Sequence, residues 1–146
     1  MDYLEKMCVD HIAKLMGEDN VCDYMNKAML FGSTFLQKKC LKMFEKQTSH
    51  VTMSESFVKL AQPALSAFLD AEEIDILEIT LFYHLRIWME LKCKEQGLEI
   101  NGENMREFIG DAIFKIRFPT MTVQDFANSV TTIDGFLSDT EKSQIF

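Results

Sequence analysis

Apolar side chains recur at the spacing of an α-helix along almost the whole chain, and this periodicity limits the possible fold most strongly. In the first segment, for example, they occupy one helical face from Leu4 to Leu15. Glycine and proline, which interrupt helices, number only 6 and 2 in 146 residues. No segment shows the alternation expected of a strand. The pattern predicts an all-α fold, a single bundle of about nine antiparallel, paired helices over residues 1–146.

Glycines and capping side chains predict where the helices begin and end. Gly17 is expected to end the first helix in the left-handed conformation, and Gly32 and Gly97 are expected to end the second and sixth helices. Asn20 is a candidate N-cap for the second helix. Further along, the sequence predicts a third helix capped by Ser33 or Thr34, a loop at 49–53, a short helix from Ser54 to Ala61 and a helix from Pro63 to Leu69. The longest helix is expected from Glu78 to Gln96 and is followed by one from Met105 to Ile116. Two last helices are expected to begin at the capping pairs Thr122–Asp125 and Ser138–Glu141.

The apolar faces of these helices indicate the core. The longest helix has a wide apolar arc, as expected for a helix at the centre of a domain. The 4 cysteines also lie on apolar stripes and include no CxxC pair, which favours buried, reduced thiols in an intracellular protein over two disulfides. The residues predicted to be buried include Val21, Cys22, Met25, Ala28, Met29, Leu36, Cys40, Met43, Phe44, Leu81, Phe82, Leu85, Trp88, Met89, Cys93, Val123, Phe126, Ala127 and Val130, and Cys8 on the first helix.

Charge and hydropathy argue against binding to nucleic acid and against insertion into a membrane. A net charge of −8 repels a polyanion over most of the surface, so we expect no nucleic-acid binding. No stretch of 18 apolar residues is present, and the N-terminus lacks the pattern of a signal peptide, so we expect no membrane span.

Residue patterns that carry catalysis are scarce. Cys8 and His11 lie one helical turn apart, but a structural zinc site needs four ligands, and no further pair has the required spacing. A cysteine nucleophile would need a histidine base in a positively biased pocket, and none can be assigned. No nucleotide-binding or metalloprotease motif occurs. We therefore predict no enzyme activity, no catalytic residue, no metal and no cofactor.

Two surface features remain. Lys38, Lys39, Lys42 and Lys46 form a basic stripe on the third helix, which is either a solvated face or a site for an acidic partner. The first helix has an apolar face that no preceding element covers, so either later helices or a partner must cover it.

Three segments carry motifs in a recognisable order. Residues 8–32 contain a Cys-bearing helix, a short turn, an Asn-Val pair and a helix ending in Ala-x-x-Phe. Residues 74–88 place Phe82 six positions before Trp88, and residues 93–128 contain the runs Cys-Lys-x-Gln-Gly and Ile-Arg-Phe-Pro-x-Met-Thr. In this order they closely resemble the BACK domain that follows a BTB domain in Cullin-3 ubiquitin-ligase adaptors, and the last segment resembles the subfamily that also carries a PHR domain. The resemblance covers about residues 3–146.

The resemblance implies a non-catalytic interaction and spacer domain. In such adaptors BTB dimerises and binds Cullin-3, another domain recruits the substrate protein, and BACK sets the distance between them. The first helix pair, here residues 3–31, is similar to the 3-box that adds to the Cullin-3 groove. We expect Met7 and His11 to lie at the edge of the contact. The matching positions are Leu4, Met7, Cys8, His11 and Ile12 on the first helix and Val21, Tyr24 and Met25 on the second.

Other expectations follow from the same resemblance. Leu77 stands where the family often has a small or polar capping residue, and Asp75 is expected to take over that cap. The chain is expected to be either an excised fragment of a longer protein or a stand-alone relative, and a parent protein could form homodimers. The alternative function is a helical scaffold or oligomerisation domain without cullin binding. A cytoplasmic location, with or without a nuclear pool, is expected.

Overall fold

Helices form the framework of the computed structural model, which describes residues 3–145. Within this range there are nine α-helices, three short 3-10 helices and no strand, so the prediction of an all-α fold is confirmed. Contacts between Cα atoms divide the chain into two compact units, one ending at Asp75 and the other beginning at Ile76. The interpretation of residues 1–146 as a single domain stays a prediction. None of the described helices is long and apolar enough to cross a membrane.

The first unit is built around two phenylalanines. The rings of Phe44 and Phe68 stack with centroids 4.6 Å apart, and both side chains are fully buried. The second helix packs against the third and the fifth, and the first helix packs against the third. The helices of this unit are α1 (Tyr3–Leu15), α2 (Val21–Phe31), α3 (Thr34–Lys46), α4 (Thr48–Met53) and α5 (Gln62–Leu69), with a 3-10 turn at Phe57–Lys59.

The second unit surrounds its longest helix. Phe82 makes edge contacts with Phe118 and Phe136, each with ring centroids 6.0 Å apart. All six predicted arc residues of this helix, from Leu81 to Cys93, are buried as predicted. The helices are α6 (Glu78–Glu95), α7 (Gly102–Ile109), α8 (Val123–Ser129) and α9 (Asp139–Ile145), with 3-10 turns at Gly110–Lys115 and Phe118–Thr120.

Several predicted helix ends are confirmed. Gly32 and Gly97 adopt positive φ angles of 69° and 68° after α2 and α6. Ser33 caps α3, because its hydroxyl oxygen accepts a hydrogen bond from the Leu36 amide at 3.3 Å. In the same way the Thr122 hydroxyl oxygen accepts a hydrogen bond from the Asp125 amide at 3.0 Å at the start of α8. At α9 the capping box is complete: the Ser138 hydroxyl accepts from the Glu141 amide, and the Glu141 carboxylate accepts from the Ser138 amide.

The turn between α1 and α2 differs from the prediction. Gly17 does not adopt the left-handed conformation, and Asn20 makes no side-chain cap at α2. Instead the Asn20 side chain faces back along the chain: its oxygen accepts from the Gly17 amide at 2.7 Å, and its nitrogen donates to the Leu15 carbonyl at 3.1 Å. Asn20 therefore satisfies the last turn of α1, so a left-handed glycine is unnecessary there.

Residues 49–53 were wrongly predicted to form a loop, because they belong to α4. Thr48 starts this helix, and its hydroxyl donates to the Phe44 carbonyl at 2.7 Å. Ser54 closes α4 by donating to the Val51 carbonyl at 2.7 Å, and the predicted helix after Ser54 is reduced to a 3-10 turn. Leu77, without a side-chain cap, occupies the N-cap position of α6, so the predicted cap by Asp75 is wrong.

Three burial and boundary predictions are also corrected. The helix predicted to reach Ile116 ends at Ile109, because Gly110 turns the backbone to φ 55° and ψ −139°. On α8, Phe126 is buried, whereas Val123 and Ala127 were predicted to lie inside and are exposed. Short helices expose positions that a longer periodic pattern would bury.

An ion pair fastens α9 to the rest of the second unit. Arg106 donates to both carboxylate oxygens of Glu141, at 2.9 and 2.8 Å, and to the Phe136 carbonyl at 2.8 Å. The hydrogen bonds from Arg106 and from the Ser138 amide lower the pKa of Glu141 from its ordinary 4.5 to about 2. The folded state therefore favours the carboxylate, so this contribution is complete above pH 4.5 and is lost as the pH falls toward 2.

Replacing Glu141 with Gln should lower the free energy of unfolding at pH 7 by about 1–2 kcal/mol, the range for a partly exposed, charge-assisted contact. Because the wild-type carboxylate itself loses the pair in acid, the difference between wild type and Glu141→Gln should shrink between pH 4.5 and pH 2. Urea unfolding across this pH series measures it, with Glu107→Gln on the exposed face of α7 as the control. A difference that does not depend on pH would contradict the ion-pair origin.

Candidate protein-interaction surface

The apolar face of α1 is open to solvent. Of the residues of α1, only Val9 is buried, while Leu4 and Met7 are 63% and 52% exposed. Cys8 and His11 are exposed as well, and Ile12 is half-buried. We call Leu4, Met7, Cys8, His11 and Ile12 the α1 face; together they line a groove of about 500 Å3.

The helix that carries this face is held in place at both ends. Near its start, the Ser33 hydroxyl donates to the Glu5 carboxylate at 3.3 Å, which links α1 to the cap of α3. At its end, Asn20 bonds to the Leu15 carbonyl. The neighbouring Asp19 carbonyl accepts from the buried Ser56 hydroxyl at 2.8 Å. The α1 face is therefore presented by an anchored helix.

The predicted contact residues of α2 are more buried than most of those on α1. Val21 and Met25 are fully buried, so they pack the first unit and can influence a partner only through the position of α2. Tyr24 is half-buried, and the Lys27 ammonium lies 5.7 Å from the centre of its ring. The structure thus brings the five predicted residues of α1 together and separates them from two of the three on α2.

Sequence periodicity missed two exposed apolar residues at the end of α2. Leu30 and Phe31 are 79% and 77% exposed. They fall outside the stripe formed by Val21, Met25 and Ala28, and this departure from the helical period is the signal that could have identified them. The turn that follows them contains Ser33, whose hydrogen bond to Glu5 places the turn beside the start of α1.

The thiols of the protein are poorly suited to nucleophilic chemistry where they are buried. Burial raises the pKa of Cys22 and of Cys40 to about 12, so both remain protonated at neutral pH. Cys93 is also buried, and desolvation raises its pKa. The prediction of burial is confirmed for these three thiols and is wrong for Cys8, because the face of α1 that carries it is uncovered.

A shifted histidine and the arrangement of possible metal ligands complete the chemistry of the described residues. Partial burial lowers the pKa of His84, which favours its neutral form. Among residues 3–145, no three His, Cys, Asp or Glu side chains are arranged to hold a metal ion. The chemistry available on the α1 face is therefore apolar contact, supplemented by the thiol of Cys8 and the imidazole of His11.

The comparison with known proteins identifies the family of this all-helical chain. The family model described as BACK, "BTB And C-terminal Kelch", matches residues 21–131, about three quarters of the chain. The chain therefore belongs to the BACK family, which supports a protein-interaction adaptor domain.

Its similar relatives are BTB/POZ domain-containing proteins. It is 30% identical to human BTB/POZ domain-containing protein 3 over 144 residues, covering 99% of this chain and 27% of the relative. It is 30% identical to human BTB/POZ domain-containing protein 6 and 31% identical to the Xenopus laevis protein 6, over 131 residues in each case, covering 90% of this chain and 24% and 25% of the relatives. The chain thus spans about a quarter of the length of these relatives. No solved structure matches it.

The extent of these matches bears on α1. The family model begins at Val21 and leaves α1 outside. The alignment with protein 3 covers 99% of the chain and so includes α1. The segment that forms α1 therefore lies within the region aligned with that relative.

Proposed function

We propose that this domain is a non-catalytic module of a Cullin-3 ubiquitin-ligase adaptor, in which α1 contributes to Cullin-3 binding and the helical framework positions a substrate-recruiting domain. Membership of the BACK family supports the adaptor role. The observation that carries the cullin-binding part is the α1 face, which is apolar, exposed and anchored. The proposal includes a cytoplasmic location, with or without a nuclear pool, and dimerisation through another part of the protein.

Physical chemistry explains how such a face would add to an existing contact. Burying a leucine or methionine side chain contributes about 1.5–3 kcal/mol when it is fully removed from water. Leu4 and Met7 are each more than half exposed, so a partner can still bury much of their area. Because Met7 is unbranched, it can adapt to a partner surface that is not perfectly complementary. The α1 face would therefore strengthen a docking contact made mainly elsewhere.

The test is the affinity of the full-length protein for the N-terminal domain of Cullin-3, measured by titration calorimetry. Replacing both Met7 and His11 with Ala should weaken binding about 10-fold or more, because each truncation at a buried contact costs about 1 kcal/mol. The matched control replaces Leu98 and Ile100, exposed residues of the second unit, and should leave the affinity unchanged.

The result also separates this proposal from its alternative. A full-length protein that does not bind Cullin-3 would leave the helical scaffold or oligomerisation domain as the function, and light scattering would then reveal the assembly. Cullin-3 binding that is equally strong in the Met7→Ala, His11→Ala variant would reject the role of the α1 face. The adaptor role would survive that second outcome.

A further inference from the structure

A second surface lies on α3, where lysines gather on a chain of net charge −8. Lys38, Lys42 and Lys46 are exposed and Lys39 is half-buried. Within residues 3–145, none of these four ammonium groups lies within 4.0 Å of a carboxylate. Their positive charge is therefore not neutralised by an ion pair within the described chain.

These lysines share a shallow groove with apolar side chains of the same helix. The groove has a volume of about 420 Å3 and is lined by α3 residues, among them the half-buried side chains of Phe35 and Leu41. At the spacing of an α-helix the exposed Lys38 and Lys42 lie between these two apolar residues. Glu45 is the one acidic side chain in the lining among the described residues. A surface with a cationic centre and apolar flanks suits a ligand with anionic groups in the middle and apolar groups beside them.

The far end of the lysine stripe has a different charge. There Lys42 and Lys46 share a shallow depression with Glu45, Glu73 and Asp75. Three carboxylates beside two ammonium groups leave no excess of positive charge at that end. The excess of positive charge therefore lies toward Lys38 and Lys39, with Lys42 at its boundary. We call Lys38, Lys39 and Lys42, together with Phe35 and Leu41, the α3 groove.

We propose that the α3 groove binds an acidic segment of a partner protein, with carboxylates meeting the lysines and apolar side chains contacting Phe35 and Leu41 on either side. Lys38 and Lys42 are separated by one helical turn, about 5–6 Å, so they fit two carboxylates spaced in the same way on a helical segment. This site is separate from the α1 face, because it consists of α3 residues only.

Charge complementarity favours a short acidic peptide over a larger polyanion. Three lysines would attract a local cluster of carboxylates, whereas a nucleic acid or an anionic membrane would meet the negative charge of the surrounding surface. The apolar flanks add nothing to the binding of phosphate groups, but they can bury a leucine or phenylalanine of a peptide. The combination of lysines and apolar flanks thus favours the peptide.

The test uses the full-length protein and a fluorescein-labelled synthetic helix with glutamates at i and i+4 on one face, flanked by leucines. Fluorescence anisotropy should detect binding that weakens as salt is added. Replacing both Lys38 and Lys42 with Glu should reduce the affinity about 10-fold or more, because two attractive contacts become repulsive. A control variant with the same charge change, Lys14→Glu with Lys59→Glu, should retain the wild-type affinity, since both residues are exposed and neither lines the groove.

Several outcomes would overturn the proposal. In the first three, the acidic helix fails to bind, it binds the Lys38→Glu, Lys42→Glu variant as tightly as the wild type, or a matched helix with glutamine in place of glutamate binds equally well. Duplex DNA and phosphatidylserine vesicles serve as competitors. If either of them bound more tightly than the acidic helix and depended on Lys38 and Lys42, the groove would belong to that polyanion instead.

Discussion

Replacing Gly102 with Ala is expected to disrupt the second unit more than any other small substitution. A Cβ atom at this position would overlap the backbone carbonyl oxygen of Asp134 and the backbone nitrogen of Phe136. Neither atom can rotate away as a side chain does, so the whole 134–136 segment must move. Overpacking typically costs about 1–3 kcal/mol, and a clash with backbone atoms is expected at the upper end of this range. In urea this should lower the unfolding midpoint by about 1 M or more.

Other glycines of the chain supply graded controls for Gly102→Ala. At Gly97 a Cβ meets nothing within 4 Å, but φ is +68°, so Gly97→Ala should cost only about 1 kcal/mol of backbone strain. At Gly17 there is open space and no left-handed backbone, so Gly17→Ala should be nearly neutral. If Gly102→Ala destabilised the protein no more than Gly97→Ala, the close approach between α7 and the 134–136 segment would be wrong.

The second large effect is expected in the first unit, at Phe44. Its ring is fully buried and stacks on Phe68 at 4.6 Å, so Phe44→Ala removes both apolar burial and a ring contact. Phe-to-Ala changes in cores cost about 3–5 kcal/mol. Thermal or urea unfolding measures the loss.

Leu30→Ala is the control for Phe44→Ala, because Leu30 is also a large apolar residue of the first unit and is 79% exposed. It should change the free energy of unfolding by less than about 0.5 kcal/mol. Equal effects at the two positions would contradict the assignment of Phe44 to the core and Leu30 to the surface.

The longest helix was the easiest element to predict. Each member of its apolar arc, such as Trp88, is buried in the structure, because a helix in the middle of a unit has packing partners along its length. The complete capping box at Ser138 and Glu141 was equally readable, since it depends only on residues three positions apart. Capping pairs and long apolar periods are therefore the features of a helical fold that can be predicted directly from the sequence.

Predictions that depended on distant neighbours were less secure. Asn20 matches the N-cap preference, yet its side chain bonds backward to Leu15 and Gly17, and the choice between these two roles depends on the path of the turn. The segment of α4 is too short to show a helical period, so only its packing reveals it. Competition between several acceptable local structures is resolved by the tertiary contacts.

The candidate surface illustrates the same limit. The sequence identified the apolar stripe of α1, and the possibility that no element covers it, but the stripe alone did not distinguish core from surface. The structure makes the distinction: Leu4 and Met7 are exposed, whereas Val21 and Met25, predicted for the same contact, are buried. Whether Met7 and His11 touch a partner stays a prediction.

The unequal accessibility of the cysteines has a practical consequence for studying that partner. Cys22, Cys40 and Cys93 are buried, and Cys22 and Cys40 hold their protons up to a pH of about 12, whereas Cys8 is exposed on α1. A maleimide dye or spin label should thus attach to the unaltered chain at one place, in the middle of the α1 face. Within these 146 residues the natural sequence thus provides one accessible thiol on the α1 face for labelling.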